Sequence, residues 1–274
     1  MTVDARTVKD LIRAEGIDLV GIASAEDLLL AKPARPPRSL MPTAESVIVM
    51  AVAQSLGAVY APDIMLWTRN KMQTSRLLDQ TAEKVGRFLE RRGFLTLPVS
   101  ADKPVEIHKH DPLSGAKLDH TKTLGQLSLK HAAVSAGLGG IGRSNLLITE
   151  RFGPHVRLCA VITEAPLETD TPRVFDPCPA GCRRCEQACP VGALCAGVYT
   201  VDPCFHYWSW GFDRIPPKRL KDWPPYLKML LAHARRRDVV VEFGQTLITD
   251  VDNCMACMKA CPLGTEWECI RPRA

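Results

Sequence analysis

No apolar run in this chain is long enough to cross a membrane. The longest covers residues 47–53 and is followed by Gln54 and Ser55, far short of the roughly 18–20 apolar residues a spanning helix needs. Residues 1–16 hold no apolar signal core and no twin arginine, so the expected location is the cytoplasm, with no membrane partner. Charge of one sign is also lacking. The 35 basic and 30 acidic residues leave a net +5, and a dedicated nucleic-acid binder shows a stronger bias, so nucleic acid is not an expected partner. There is no low-complexity tract, and no internal repeat beyond two cysteine motifs. With 46% hydrophobic and 24% charged residues, the chain is neither disordered nor membranous. Its 274 residues suit one large domain or two small ones.

Cysteine is what the sequence has in quantity. Ten of the 11 cysteines lie in the last 97 residues. A chain of this size without a secretion signal needs no disulfide framework, so clustered cysteines point to metal or redox chemistry. The first motif is Cys178-Pro-Ala-Gly-Cys182-Arg-Arg-Cys185-Glu-Gln-Ala-Cys189-Pro190, and the second is Cys254-Met-Ala-Cys257-Met-Lys-Ala-Cys261-Pro262. Both end in C-x3-C-P. In dicluster ferredoxins the run is C-x2-C-x2-C-x3-C-P, and its fourth cysteine ligates the other cluster. Short loops let neighbouring thiolates wrap one cubane, and the proline turns the chain so that the last cysteine crosses over.

The first motif has three residues rather than two between its first cysteines, and the second lacks a leading cysteine, a gap Cys204 can fill. The expected ligands are Cys178, Cys182, Cys185 and Cys261 for one [4Fe–4S] cluster, and Cys189, Cys204, Cys254 and Cys257 for the other. Structural zinc prefers paired C-x2-C motifs without C-x3-C-P, and a redox C-x-x-C pair would leave most of the cysteines idle. Cys159, Cys195 and Cys269 remain as plain thiols.

The first part of the chain reads as mixed α and β. Helical patterns cover 3–15, 66–92 and 127–136, and strand patterns cover 18–23, 46–53, 94–99 and 156–163, joined by a proline-rich connection over 33–42. The segment 166–177 is the natural boundary, dividing the chain into 1–170 and 171–274. Two loops are candidates for function. One, 101–123, holds His108, His110, Asp111, Asp119 and His120; it reads as a solvated polar loop, a metal site or a source of protons.

The other is 137–145, where Gly137, Leu138, Gly139, Gly140, Ile141 and Gly142 satisfy G-x-G-x-x-G. A dinucleotide motif follows a strand and opens a helix. This one follows residues 128–136, which read as helix, so a dinucleotide is not expected. Its glycines still permit close approach, either to another stretch of backbone or to a flat macrocycle. Arg143 follows, placed to pair a phosphate, a carboxylate or a structural partner.

The run Ala136-Gly-Leu-Gly-Gly-Ile-Gly-Arg-Ser-Asn-Leu-Leu-Ile-Thr149, then Phe152-Gly-Pro154, Val161-Ile-Thr-Glu-Ala-Pro-Leu167 and the cysteine motif resembles the cobalamin-dependent reductases, the epoxyqueuosine reductases and reductive dehalogenases. Cys204-Phe-His-Tyr207-Trp208 is closer to the dehalogenases, and Gly16-Ile-Asp-Leu-Val-Gly-Ile-Ala23 resembles the start of the epoxyqueuosine reductases. The resemblance implies an α+β protein: a nitroreductase-like α/β domain holding base-off cobalamin, fused to a dicluster bacterial-ferredoxin-like domain. It implies that low-potential electrons pass through both clusters to the cobalt, which acts on the substrate while a nearby acid supplies a proton. The loop 137–142 and Arg143 would lie against the corrin or its tail.

Epoxyqueuosine reductases carry a catalytic aspartate before the helix that leads into this loop. The corresponding stretch, 122–126, has none, so Asp119, His120 and Tyr60 are the candidate acids. A small unidentified substrate is the expected partner, with a ferredoxin- or flavodoxin-type donor. The insert 205–250 is rich in Trp and Pro and carries Lys218, Lys221 and Arg235 to Arg237, suiting a solvated face or the docking of an acidic donor. An electron-transfer or corrinoid-handling protein without a substrate of its own is the alternative, and a flavin- or nucleotide-dependent reductase a third.

Overall fold

A computed structural model describes residues 3–26, 28, 36–62, 64–101, 127–172, 176–200, 203–204 and 254–267. The strand pattern over 46–53 becomes β2 (Ser46–Ala53), the centre of a four-stranded sheet. Its antiparallel neighbours are β1 (Leu19–Ser24), in register Leu19 with Ala51, and β6 (Val156–Thr163), in register Ala53 with Val156; β3 (Thr96–Val99) closes the order β1-β2-β6-β3.

Both faces of this sheet are covered, which is why β2 is continuously apolar rather than alternating. Ile48, Met50 and Val52 enter one core with Val8 and Ile12 of α1 (Ala5–Ala14) and Leu78, Val85 and Leu89 of α4 (Ile64–Glu90). Val47 and Val49 enter the other, with Ala132 and Ala133 of α5 (Leu129–Ser135). The result is three layers, with α1 and α4 on one face and α5 on the other. Truncating Ile48 to Ala in such a core would cost about 2–5 kcal/mol. The Asp4 carboxylate caps α1, accepting from Thr7 N at 3.0 Å. No helix among the described residues is long and apolar enough to cross a membrane.

The proline-rich connection contains a short helix, α2 (Pro37–Leu40), and a further turn, α3 (Leu56–Tyr60), follows β2. The loop after α5 is a small hairpin, β4 (Gly140–Ile141) with β5 (Leu147–Ile148). The cysteine-rich part supplies α6 (Arg184–Ala188), a hairpin of β7 (Leu194–Cys195) and β8 (Val198–Tyr199), and α7 (Ala256–Ala260), which packs on α6.

The segment read as a boundary is tied down as far as Asp170. That carboxylate takes Lys9 Nζ at 2.6 Å and Ile22 N at 2.8 Å, while Asp170 N donates to Ile22 O at 2.8 Å. The C-terminal stretch folds back onto the first part through Thr265 N to Glu150 O (3.0 Å) and Glu266 N to Arg151 O (2.9 Å).

Candidate functional site

Each C-x-x-C-x3-C stretch builds the same local structure. A one-turn helix spans the last spacer, α6 in the first motif and α7 in the second, and the closing cysteine leaves it in extended backbone before proline. α6 packs against α7, so the two motifs face each other. Cys178, Cys182 and Cys185 line one narrow cavity together with Cys261 from the far motif, alongside Ser144, Ile148 and Pro262. Cys204 and Cys189 lie near Cys254, and Cys254 and Cys204 lie near Cys257. Cys185 of the first motif also acts on Cys257. Among the described residues no three His, Cys, Asp or Glu side chains converge tightly enough for a single ion; the thiols surround a space instead.

Backbone donors already point at these sulfurs. Arg143 N–H reaches Cys178 Sγ at 3.3 Å and Ala193 N–H reaches Cys189 Sγ at 3.3 Å. Burial pushes the Cys178, Cys185 and Cys254 thiols up, and Cys257 furthest, to about 12. Metal loading must therefore displace protons from them. Burial first, and the Cys204 thiol next, push the Tyr199 hydroxyl well above its ordinary range.

The glycine loop follows helix α5 and opens a hairpin, the reverse of a dinucleotide site. Its glycines serve the chain's own packing. A Cβ on Gly139 would lie 2.2 Å from Ile148 O, and one on Gly137, at φ +74°, 2.7 Å from Thr171 O. Leu138 packs in the second core and Gly140 is buried in β4. The Arg143 guanidinium donates to Cys182 O at 3.0 Å, clamping the first cysteine loop. Ile141, Gly142 and Arg143 also line an open cleft of about 420 Å³ with Asn145, Asp176, Gly197 and Tyr199.

Tyr60 stands elsewhere, on α3, its hydroxyl donating to Lys259 O at 3.0 Å and its ring 6.4 Å from His155. Asp119, His120, His108, His110, Asp111, Cys269 and the insert 205–250 lie outside the described residues. Cys159 is a core thiol 3.6 Å from Leu78 O, and Cys195 is exposed on its hairpin.

Sequence reasoning missed a polar group where β2 meets α4. Gln54, Trp67 and Thr68 are almost fully buried, yet among the described residues neither amide atom of Gln54, nor Trp67 Nε1, nor Thr68 Oγ1 has a hydrogen-bond partner. Ser55 N donating to Asn70 Oδ1 at 3.1 Å ties the two elements together, and Trp67 packs on Met255, beside Cys254. Each buried orphan costs about 1–3 kcal/mol. The only signal in the sequence was that polar residues follow an apolar run directly.

No family model matches the chain. Over 153 residues it is 28% identical to tetrachloroethene reductive dehalogenase of Desulfitobacterium hafniense, covering 55% of this chain and 23% of that one. It is 44% identical over 96 residues to epoxyqueuosine reductase of Listeria monocytogenes, covering 34% of this chain and 24% of the relative. The chain is thus similar to both the epoxyqueuosine reductases and the reductive dehalogenases. The matched stretches span about a quarter of these relatives' length. The fold agrees: the crystal structure of selenomethionine-labelled epoxyqueuosine reductase superposes with a TM-score of 0.60 at 19% identity, over 94% of this chain and 64% of that one. A catabolic reductive dehalogenase in complex with 3-bromo-4-hydroxybenzoic acid superposes at 0.54 and 20% identity, over 74% and 29%. A further neighbour in fold is a structure of epoxyqueuosine reductase with a tRNA stem loop, at a TM-score of 0.54 and 20% identity, over 78% of this chain and 59% of that one.

Proposed function

We propose that this protein is an iron–sulfur, corrinoid-dependent reductase. In this reading the first part, to about residue 170, holds the corrinoid in a nitroreductase-like frame. The second is a ferredoxin-like module with two [4Fe–4S] clusters, and the substrate is a small molecule. The observation that carries the reading is the gathering of Cys178, Cys182 and Cys185 with Cys261, some 76 residues further along the chain, around one cavity. A zinc ion asks for thiolates about 2.3 Å from one point, whereas a cubane needs them spread around a larger body.

The residues also fit a corrin. Its rim is a ring of amides that donate and accept, and Gln54, Trp67 and Thr68 offer buried donors and acceptors without a partner among the described residues. Trp67 packs with Met255, next to Cys254 in the second motif. When bound, the clusters supply one-electron relay at low potential and the corrinoid a reducible cobalt.

The chain's own work is to hold and to exclude. Eight thiolates anchor the clusters. Arg143 N–H and Ala193 N–H orient two of the sulfurs and favour their charged form. The Arg143 guanidinium fixes the first loop through Cys182 O. Proton delivery is assigned to Asp119 or His120, with Tyr60 the third candidate, its hydroxyl proton engaged by Lys259 O. The donor would be an acidic ferredoxin or flavodoxin drawn to the basic residues of the 205–250 insert.

The test is anaerobic. Protein reconstituted with iron and sulfide is mixed with cobalamin, freed of excess, and examined by cobalt(II) electron paramagnetic resonance. A retained base-off signal is expected, and Q54A with T68V should weaken retention. Loaded clusters with no retained corrinoid would refute the reductase reading.

A further inference from the structure

The β4–β5 hairpin turns through Arg143, Ser144 and Asn145. Asn145 N–H closes a turn on Gly142 O at 2.9 Å, and Gly142 N–H closes the loop on Leu146 O at 2.9 Å. Such a loop ends in a left-handed residue, most often glycine. Here that residue is Asn145, at φ +59°, a conformation that costs any residue with a Cβ. The support comes from α5. Lys130 Nζ donates to Asn145 O at 2.9 Å and to Asn145 Oδ1 at 2.5 Å, gripping main chain and side chain of one residue at once. Lys130 is half-buried, and no carboxylate acts on it among the described residues. Desolvating an ammonium costs free energy, and the bonds to Asn145 are what this one has to offset it. The loop so fixed serves the first cysteine motif. Arg143 N–H lies 3.3 Å from Cys178 Sγ, and the Arg143 guanidinium donates to Cys182 O at 3.0 Å.

We propose that Lys130 is a positioning residue for the cluster that Cys178 and Cys182 hold, gripping Asn145 so that the hairpin loop delivers both donors of Arg143 to that stretch. The inference rests on the two-cluster reading above. Lys130 acts through the loop and not on the thiols. Reduction adds negative charge to a cluster, and a hydrogen bond to a ligating sulfur stabilises the more negative state. Loosening the loop weakens the bond from Arg143 N–H to Cys178 Sγ and so lowers the potential of that cluster. The other cluster takes its backbone donor from Ala193, at Cys189 Sγ, and is left alone.

The experiment is a redox titration of the reconstituted full chain, followed by electron paramagnetic resonance, in wild type, Lys130→Met, Lys130→Arg and Asn145→Ala. Iron and sulfide are measured on each sample. The cluster in question is identified as the one missing from Cys261→Ser. In Lys130→Met it should titrate at a more negative potential. Poised at its wild-type midpoint, its reduced-to-oxidised ratio should fall about threefold to tenfold, the worth of one hydrogen bond. Asn145→Ala loses the gripped side-chain oxygen and disfavours the left-handed turn, and it should move the same cluster the same way. Lys130→Arg, which keeps N–H donors, should stay nearer the wild type. The other cluster should move in none of them. Unshifted potentials in Lys130→Met and Asn145→Ala would overturn the proposal, and so would equal shifts of both clusters. A Lys130→Met chain that loads no iron, beside an Asn145→Ala chain with both clusters at wild-type potentials, would overturn it too. A wild-type chain that takes up no iron and sulfide refutes the two-cluster reading itself, before any variant is compared.

Discussion

Gly153 is the point where the C-terminal stretch bearing Cys261 is seated on the first part of the chain, and Gly153→Ala should unseat it. An added Cβ would stand 2.0 Å from Leu263 O and 2.7 Å from Leu263 C, both backbone atoms that cannot swing aside, and the residue sits at φ +56°. A left-handed alanine costs about 1–2 kcal/mol, and forcing a methyl into a packed contact costs about 1–3 kcal/mol, giving roughly 2–5 kcal/mol together. The strain lands two residues from Cys261 and next to the bonds from Thr265 N and Glu266 N to Glu150 O and Arg151 O. Arg151→Ala is the control. It removes an ion pair to Glu266 Oε1 at 2.9 Å whose side chains are 49% and 45% exposed, which should cost less than about 1 kcal/mol. Urea unfolding of the reduced apoprotein and iron per chain after reconstitution are the readouts. Gly153→Ala should lower the midpoint and lose the iron that Cys261 helps to hold, while Arg151→Ala should do neither appreciably. A Gly153→Ala protein with wild-type midpoint and wild-type iron content would refute this account of how the two motifs are brought together.

Lys130 is half-buried, and desolvation pulls its ammonium down to about 8 from 10.5. The folded state holds its proton less tightly than the unfolded state, so burying the charge costs stability below pH 8, and the cost is relieved as pH rises toward 10.5. Stability of the wild type relative to Lys130→Met should therefore rise by up to about 3 kcal/mol over that window, read from urea midpoints at each pH. Asp170→Ala leaves Ile22 N–H and Lys9 without their carboxylate partner and should lower the unfolding free energy by about 1–3 kcal/mol, while Asp170→Asn, which keeps an acceptor, should lose less. Cys159→Ala should cost stability, because its thiol is buried in the core, and should leave iron per chain unchanged.

The sheet and its long helices were legible because their periods were clean. The run Ser46–Ala53 is a strand buried on both faces, and the pattern over 66–92 falls on a single helix, Ile64–Glu90, which ends two residues sooner. The approach of Cys261 to Cys178, Cys182 and Cys185 around one cavity follows from a short spacer and a proline, which limit where each thiol can go. What the sequence hid is tertiary. The hairpin at Gly140–Ile141 and Leu147–Ile148 has two residues per strand, too few to show a period. The glycines before it give no sign of whether they face a cofactor or Ile148 O. The seating of Leu263 on Gly153 joins residues 110 positions apart and has no local signature. Gln54, Trp67 and Thr68 look ordinary until the fold shows them buried with no partner among the described residues.

The central claim is that eight cysteines hold two clusters by crossing between motifs. Iron and acid-labile sulfide should be counted in the reconstituted wild type, in Cys261→Ser and in Cys204→Ser. The account predicts about eight irons per chain in the wild type, and about four in each variant with one cluster's spectrum intact and a different one in each. Both variants losing the same cluster, or neither losing any iron, would contradict it.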